Sequence, residues 1–445
     1  MRIVKRAAAV LLTITTAAGL LAGCGSGAPK EETFPEYEDD KQMVIGGWDV
    51  PMNTLEDYQM AKDMGLTHMF IDGVFEARGS DGYCKQLEYC EQVGLKAIVG
   101  MDTSLDNDNN TPIDTFDYSA YPAVERINVW DEPSTSKIAD VLERVEYVNK
   151  TYEGTGVSAF VNLDPSNHRK QPTDVVGTGE YLKEFNEKVI SRINGKHILC
   201  TDVYPLSYAR GEYYLLTIWL ERLSQYAKAA KEYDADFEMF IQSYSANDTR
   251  DLQGREDLTF QIYTCMAFGI TGYHYFTYRA SFLDGFGGGC VANDQSCSPT
   301  EIYYWAQEVN EEINKFDHVY LSFDWDGAMG ILGTDNVNED PTYGNGNFTN
   351  IVDPLHELRC ASAVTGTQDT LIGQFMDEEG RDGLIVVNFT DPVYGLKDAV
   401  HFEFKDANRA VVYRNGERKI YEVKDNQLDL TLACGEGVFI IPVKN

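Results

Sequence analysis

Apolar residues come in short runs along the first part of this chain. Most runs end in an acid, and most are followed by a longer stretch with apolar positions three and four apart. That alternation predicts strand, then amphipathic helix, repeatedly. Strands are expected over 44–48, 68–71, 96–99, 127–130, 157–163, 197–203, 237–242 and 271–278. Helices are expected over 54–64 (closed by Gly65), 83–93 (closed by Gly94), 137–147, 180–193, 213–233, 258–268 and 300–316. Residues 103–121 break the pattern and read as loop with at most a short helix. Eight strand signals alternating with helices imply an α/β fold of the (β/α)8 TIM-barrel type, because an open sheet rarely needs so many consecutive units.

Beyond the Asn/Gly/Asp-rich stretch 335–350 the period changes. Short alternating runs at 371–375, 384–389, 400–404, 410–413, 419–423, 428–432 and 438–443 are separated by turn signals such as Asp377-Glu378-Glu379-Gly380 and Arg414-Asn415-Gly416. These predict a small antiparallel β-sandwich. The expected organisation is a barrel over 42–330, a connecting segment over 331–364 and the sandwich over 365–445.

The start of the chain follows a different pattern. Arg2, Lys5 and Arg6 precede an apolar stretch over 7–21, which ends in Leu21-Ala22-Gly23-Cys24. It is short and rich in Ala and Thr for a membrane span, and reads as an export signal over 1–23. Residues 25–41 are rich in Gly, Ser, Pro and acids and read, with Cys24, as a flexible tether. The formal charge of −34 argues against a nucleic-acid partner, which needs clustered Lys and Arg. Of the nine cysteines none falls in a tight metal-ligand spacing; Cys290 and Cys297, in one Gly-rich loop, are the pair to consider for a disulfide, and Cys200 and Cys265 read as buried thiols.

Candidate chemistry lies at the strand tips, because the C-terminal ends of barrel strands meet at one mouth. Asp49, Asp72, Asp102, Asp131, Glu132, Asp164 and Asp202 all fall there. Any one of them has a bland reading as a turn or helix-cap residue. The aromatics Trp48, Phe75, Trp130, Tyr204, Tyr244, Phe276 and Tyr278 share those tips, and core packing accounts for some of them. Acids beside aromatic rings suit a neutral polyhydroxylated ligand, whose C–H faces stack while its hydroxyls bond to carboxylates. The adjacent pair in Asn128-Val129-Trp130-Asp131-Glu132-Pro133 is the sharpest signal, with Pro133 and Ser134 stopping the strand.

Trp130-Asp131-Glu132-Pro133 resembles the Asn-Glu-Pro motif of the large clan of barrel glycoside hydrolases. Arg255, Gln261, Ala267-Phe268-Gly269 and Gly272 to Tyr278 are similar to the helix-seven and strand-eight region of such enzymes, and Gly435-Glu436-Gly437 to the end of their small sandwich. The resemblance implies Glu132 as general acid/base. Two departures stand out: Asp131 replaces the clan's Asn, and Gln242 stands where its nucleophilic Glu is expected. An Asp-Glu-Pro run also resembles exo-acting N-acetylhexosaminidases, in which the substrate's acetamido group is the nucleophile, Asp131 would orient it and Glu132 would be the acid. Otherwise Asp202 is the candidate to activate water, at the wider carboxyl spacing of about 6.5–9.5 Å that an inverting pair requires. A non-catalytic, carbohydrate-binding lipoprotein is the competing reading, motivated by Gln242. The Leu-Ala-Gly-Cys ending resembles the bacterial lipobox, which implies lipidation of Cys24 and an extracytoplasmic, membrane-anchored protein.

The expected substrate contacts are Trp48, Asp49, Asp72, Asp102, Trp130, Asp164, Tyr204, Gln242, Tyr244, Phe276 and Tyr278, with a carbohydrate as partner. No cofactor is expected. Thr111 occupies the position that calcium loops give to Gly, after the acidic run 106–110, and the His residues have no paired zinc spacing. The Gly-rich run 285–289 opens no helix, and no Gly-x-Ser-x-Gly elbow occurs.

Overall fold

The computed structural model describes residues 34–73, 76–100, 115–163, 177–209, 211–216, 218–246, 249–281, 285–294, 296–335 and 348–444. Cys24, Phe75, Asp102, Asp164, the acidic run 106–110 and the export signal lie outside them.

Eight parallel strands form a closed barrel in the order β1-β8-β7-β6-β5-β4-β3-β2. They are β1 (Val44–Gly47), β2 (His68–Ile71), β3 (Lys96–Gly100), β4 (Val124–Asp131), β5 (Ser158–Leu163), β6 (Ile198–Asp202), β7 (Asp236–Gln242) and β8 (Gly272–Phe276). Helices α1 (Leu55–Asp63), α2 (Asp81–Val93), α3 (Ile138–Thr151), α4 (Thr178–Lys188), α5 (Ile218–Tyr233), α6 (Arg255–Met266) and α7 (Glu301–Ile313) belong to the barrel part. Thr54 and Ser80 accept from backbone N–H groups in the first turns of α1 and α2, and Gly94 ends α2 in the left-handed region. Between β3 and β4 the described residues hold only a short 3-10 turn, Tyr118–Ala120.

Inward-facing side chains fill the barrel in layers. Phe70, Ile98, Phe160, Cys200 and Phe240 make an apolar layer. Next to it lies a buried charge cluster in which Arg126 Nη1 donates to both carboxylate oxygens of Glu238, at 2.8 and 2.7 Å, and His274 Nε2 lies 2.9 Å from the same group. Burial alone would raise Glu238; the Arg126 guanidinium and the His274 imidazole reverse that and hold its carboxyl below the ordinary range. Gly46 on β1 makes room for this layer, since a Cβ there would stand 2.1 Å from His274 Nδ1.

The C-terminal part is two antiparallel sheets. One contains β9 (Phe323–Ile331), β11 (Thr370–Asp377), β12 (Asp382–Asn388), β17 (Gly437–Val443), β14 (Arg409–Arg414) and β15 (Glu417–Glu422), in that order; the other contains β10 (Ala361–Thr365), β13 (Asp398–Phe404) and β16 (Gln427–Leu432). Val386, Val412 and Ile440 from the first sheet meet Val400, Phe402 and Leu430 from the second in one core. Because β9 pairs with β11, the sandwich begins at Phe323, inside the stretch the sequence pattern gives to the barrel. Within the expected tether, Tyr37 and Lys41 also bond to the fold: Tyr37 donates to Asp377 at 2.9 Å and Lys41 to the Leu321 carbonyl at 3.0 Å.

Helix α6 joins the two parts and is buried all round from Asp257 to Met266. Phe260 packs between Trp219 of α5 and Phe389 after β12, and Arg250 pairs with both Asp257 and Asp391. No helix among the described residues is long and apolar enough to cross a membrane.

Candidate active site at the barrel mouth

The end of β4 is rebuilt by one extra residue. Asn128 pairs with Phe160, but Trp130 pairs with Val161, so Val129 is a β-bulge. Arg144 of α3 takes the carbonyl of Val129 at 3.1 Å, and its guanidinium covers the Trp130 ring at 4.6 Å. This fixes Trp130 behind the strand, 1% exposed, and brings Asp131 opposite Asn162. Glu132 then takes a left-handed φ of 49° while its N–H donates to the Asn162 carbonyl at 2.9 Å. A non-glycine residue held there is uncommon and marks a bend at the strand tip.

Asn162 links two of the acids. Its Nδ2 donates to Asp131 Oδ1 at 2.9 Å and reaches Asp202 Oδ1 on β6 at 3.4 Å. Asp131, Glu132 and Asp202 are half-buried. All three act on Tyr204: burial raises its hydroxyl well above the ordinary tyrosine range, and the charges of Asp202, Glu132 and Asp131 push the same way. The three carboxylates therefore share one electrostatic neighbourhood with this phenol. Asn162 was not among the residues expected at the site, although a polar residue two places after Phe160 on the inward face of β5 is a signal in the strand period.

Aromatic rings form the adjoining wall. Tyr204 stacks on Phe276 at 5.5 Å between centroids, and Tyr244 meets both edge-on, at 4.9 and 5.0 Å. Phe286, from the Gly-rich loop, stacks on Tyr244 at 5.8 Å, and Trp48 lies 6.4 Å from Phe276. Trp48, Tyr204, Tyr244 and Phe276 keep partial exposure.

Across the mouth are Asp49 and Asp72. Asp49, at φ 67°, has its carboxyl raised to about 7, first by burial and then by the Asp72 charge, with Arg279 acting against both. Arg78 donates to the backbone carbonyls of Asp72, at 3.2 Å, and Gly100, tying the tips of β2 and β3 together. Arg78 and Arg279 were not read from the sequence; Arg279 lies one residue beyond the aromatic strand end that was.

Three expected contacts are placed elsewhere. Trp130 packs under Arg144, as described. Tyr278 is fully buried, and its N–H donates to the Trp48 carbonyl at 2.7 Å. Gln242 is also fully buried: Oε1 accepts from Leu206 N at 3.2 Å, and Nε2 donates to the carbonyls of Leu206 at 3.3 Å and Arg250 at 2.9 Å. That amide braces loops. Cys290 and Cys297 are buried free thiols, as are Cys200 and Cys265. Among the described residues, no group of three or more His, Cys, Asp or Glu side chains is arranged to hold a metal ion.

No protein-family model matches this chain, and no curated protein does. Similar solved structures include a GH42 β-galactosidase from Geobacillus stearothermophilus (9% identity, 91% of this chain and 100% of that one, TM-score 0.49). A GH27 β-L-arabinopyranosidase from the same organism matches at 12% identity over 91% and 97%, with a TM-score of 0.48. A β-galactosidase from Marinomonas ef1 matches at 11% identity and TM-score 0.43 over 63% of this chain, which spans 62% of that enzyme's length. The barrel itself rests on the closed eight-strand sheet of this chain.

Proposed function

We propose that this chain is a glycoside hydrolase, exported and anchored through a lipidated Cys24, with Glu132 as the general acid/base. The observation that carries the reading is the junction at Asn162, whose side-chain amide reaches Asp131 and Asp202 and whose carbonyl accepts from the Glu132 N–H, beside an aromatic wall. Glycosidic cleavage asks for two carboxyl groups flanking the bond, one to protonate the leaving oxygen and one to act at the sugar's other face. On this reading Glu132 gives the proton, Asp202 activates water, and Asp131, held by Asn162, orients the sugar. Tyr204, Phe276 and Tyr244 supply the rings on which a sugar stacks. For a 2-acetamido sugar, Asp131 takes the second role by orienting the acetamido oxygen.

Gln242 motivates a second reading, a carbohydrate-binding barrel without hydrolysis, since that side chain is spent on loop bracing. Incubation of the purified chain with a panel of aryl glycosides, with and without 2-acetamido groups, separates the two. Release of aryl alcohol from at least one supports the hydrolase; glycan binding with no release from any supports the binder.

A further inference from the structure

The connection after β6 carries a hairpin, Leu206–Ala209 paired with Glu212–Leu215, that the sequence pattern did not predict. Its root is the Leu206 backbone clamped by Gln242, so the hairpin stands on the mouth's own framework. Tyr208 and Tyr213 are directly opposite in its register, with rings 4.9 Å apart, and are 45% and 39% exposed. A cross-strand aromatic pair adds no more than about 1 kcal/mol to a hairpin, and the faces of these two rings that stay open to water are free to take a ligand. The Arg250 guanidinium lies 5.7 Å from the Tyr213 ring and is itself locked to Asp257 and Asp391, which steadies the ring from one side.

Tyr213 also forms one wall of a groove of about 520 Å³ between barrel and sandwich, together with Gly254, Glu256, Pro392, Lys397 and Cys434. The groove mixes ring, backbone and both signs of charge. Tyr208 follows Tyr204 by four residues, which places it within about 14 Å of the mouth along an extended chain. The net charge of −34 disfavours an acidic polymer.

We propose that the Tyr208–Tyr213 hairpin and the groove at its foot bind the outlying units of a neutral glycan whose end lies in the mouth, so the substrate is a polysaccharide or long oligosaccharide. This rests on the carbohydrate reading of the mouth. The test is binding titration of the full chain with di- to hexasaccharides of the β-glucan, galactan, arabinan, xylan and chitin series. The wild type should bind at least one series with affinity rising about tenfold or more with length. Tyr208→Ala/Tyr213→Ala should lose that rise yet keep its disaccharide affinity, while Tyr208→Phe/Tyr213→Phe and the distant Tyr304→Ala should retain it. Should the Ala pair fail to fold, Tyr208→Ala alone carries the test with a partial loss. A rise that persists in the Ala variants, a wild type indifferent to length, or a hairpin that instead mediates self-association overturns the inference alone. A wild type that binds no series at any length overturns the carbohydrate reading with it.

Discussion

Asn162 and Asp131 are joined by a 2.9 Å hydrogen bond across the bulged edge between β4 and β5, and the same amide nitrogen reaches Asp202. One neutral donor thus sets the position of two carboxylates that would otherwise repel. Asn162→Ala should cut turnover by roughly a hundredfold, since displaced catalytic groups lose rate steeply, while costing only about 1–2 kcal/mol of stability. Steady-state kinetics beside a denaturation curve checks this; equal losses in Asn162→Ala and in an unrelated variant of matched stability would reduce Asn162 to a packing residue.

The roles of the two aspartates separate by substrate. Asp202→Asn should disable cleavage of ordinary glycosides and recover part of the rate with added azide, which replaces the activated water. Asp131→Asn should fall hardest on a 2-acetamido substrate. Paired substrates differing only at C2 decide it, and full activity of both variants on every cleaved substrate would shift attention to Asp49 and Asp72.

Asp49 makes stability depend on pH. Its folded carboxyl titrates near 7, above its ordinary value of 3.8, so between those values the native state binds a proton that the unfolded chain has released. Stability from this group is therefore full below about 4 and is lost as pH rises through 7. Asp49→Asn should flatten that slope and raise the melting temperature at pH 8, as scanning calorimetry across pH 4–8 would reveal; a slope unchanged by the substitution contradicts the assignment.

Much of the barrel was legible because buried parallel strands are continuous apolar runs stopped by polar tips. What escaped has physical causes. The bulge at Val129 shifts the parity of β4, which no period of two reveals, so Trp130 looked like a mouth residue; Asn162 follows the unbroken period of β5, and its role depends on the two carboxylates that the fold brings to its amide. The run Tyr213-Tyr214-Leu215 carries on smoothly into α5, so a hairpin strand looked like the first turn of a helix. Strand β9 is too rich in Asp and Gly to resemble one, and it exists because β11 supplies its partner. Gln242 held the place of an expected nucleophile, but its amide is used by backbone that only the tertiary fold brings near.

Removal of residues 323–445 should leave a barrel that aggregates. The sandwich covers α6 and the rings of Phe260 and Trp219, each buried face being worth about 1.5–3 kcal/mol, and it supplies Asp391 to Arg250. Size-exclusion chromatography of the truncated chain reads this out. A soluble monomer with the parent's melting temperature would mean that the two parts fold independently.

The account depends above all on Glu132 as the proton donor, and the most direct measurement is the turnover of Glu132→Gln on an unactivated glycosidic linkage compared with an activated aryl glycoside of the same sugar. The substitution keeps the side chain's shape and removes its proton. Turnover should fall by about a hundred- to ten-thousandfold on the unactivated linkage and by much less on the activated one, whose leaving group needs little protonation. Undiminished cleavage of the unactivated linkage would contradict the account.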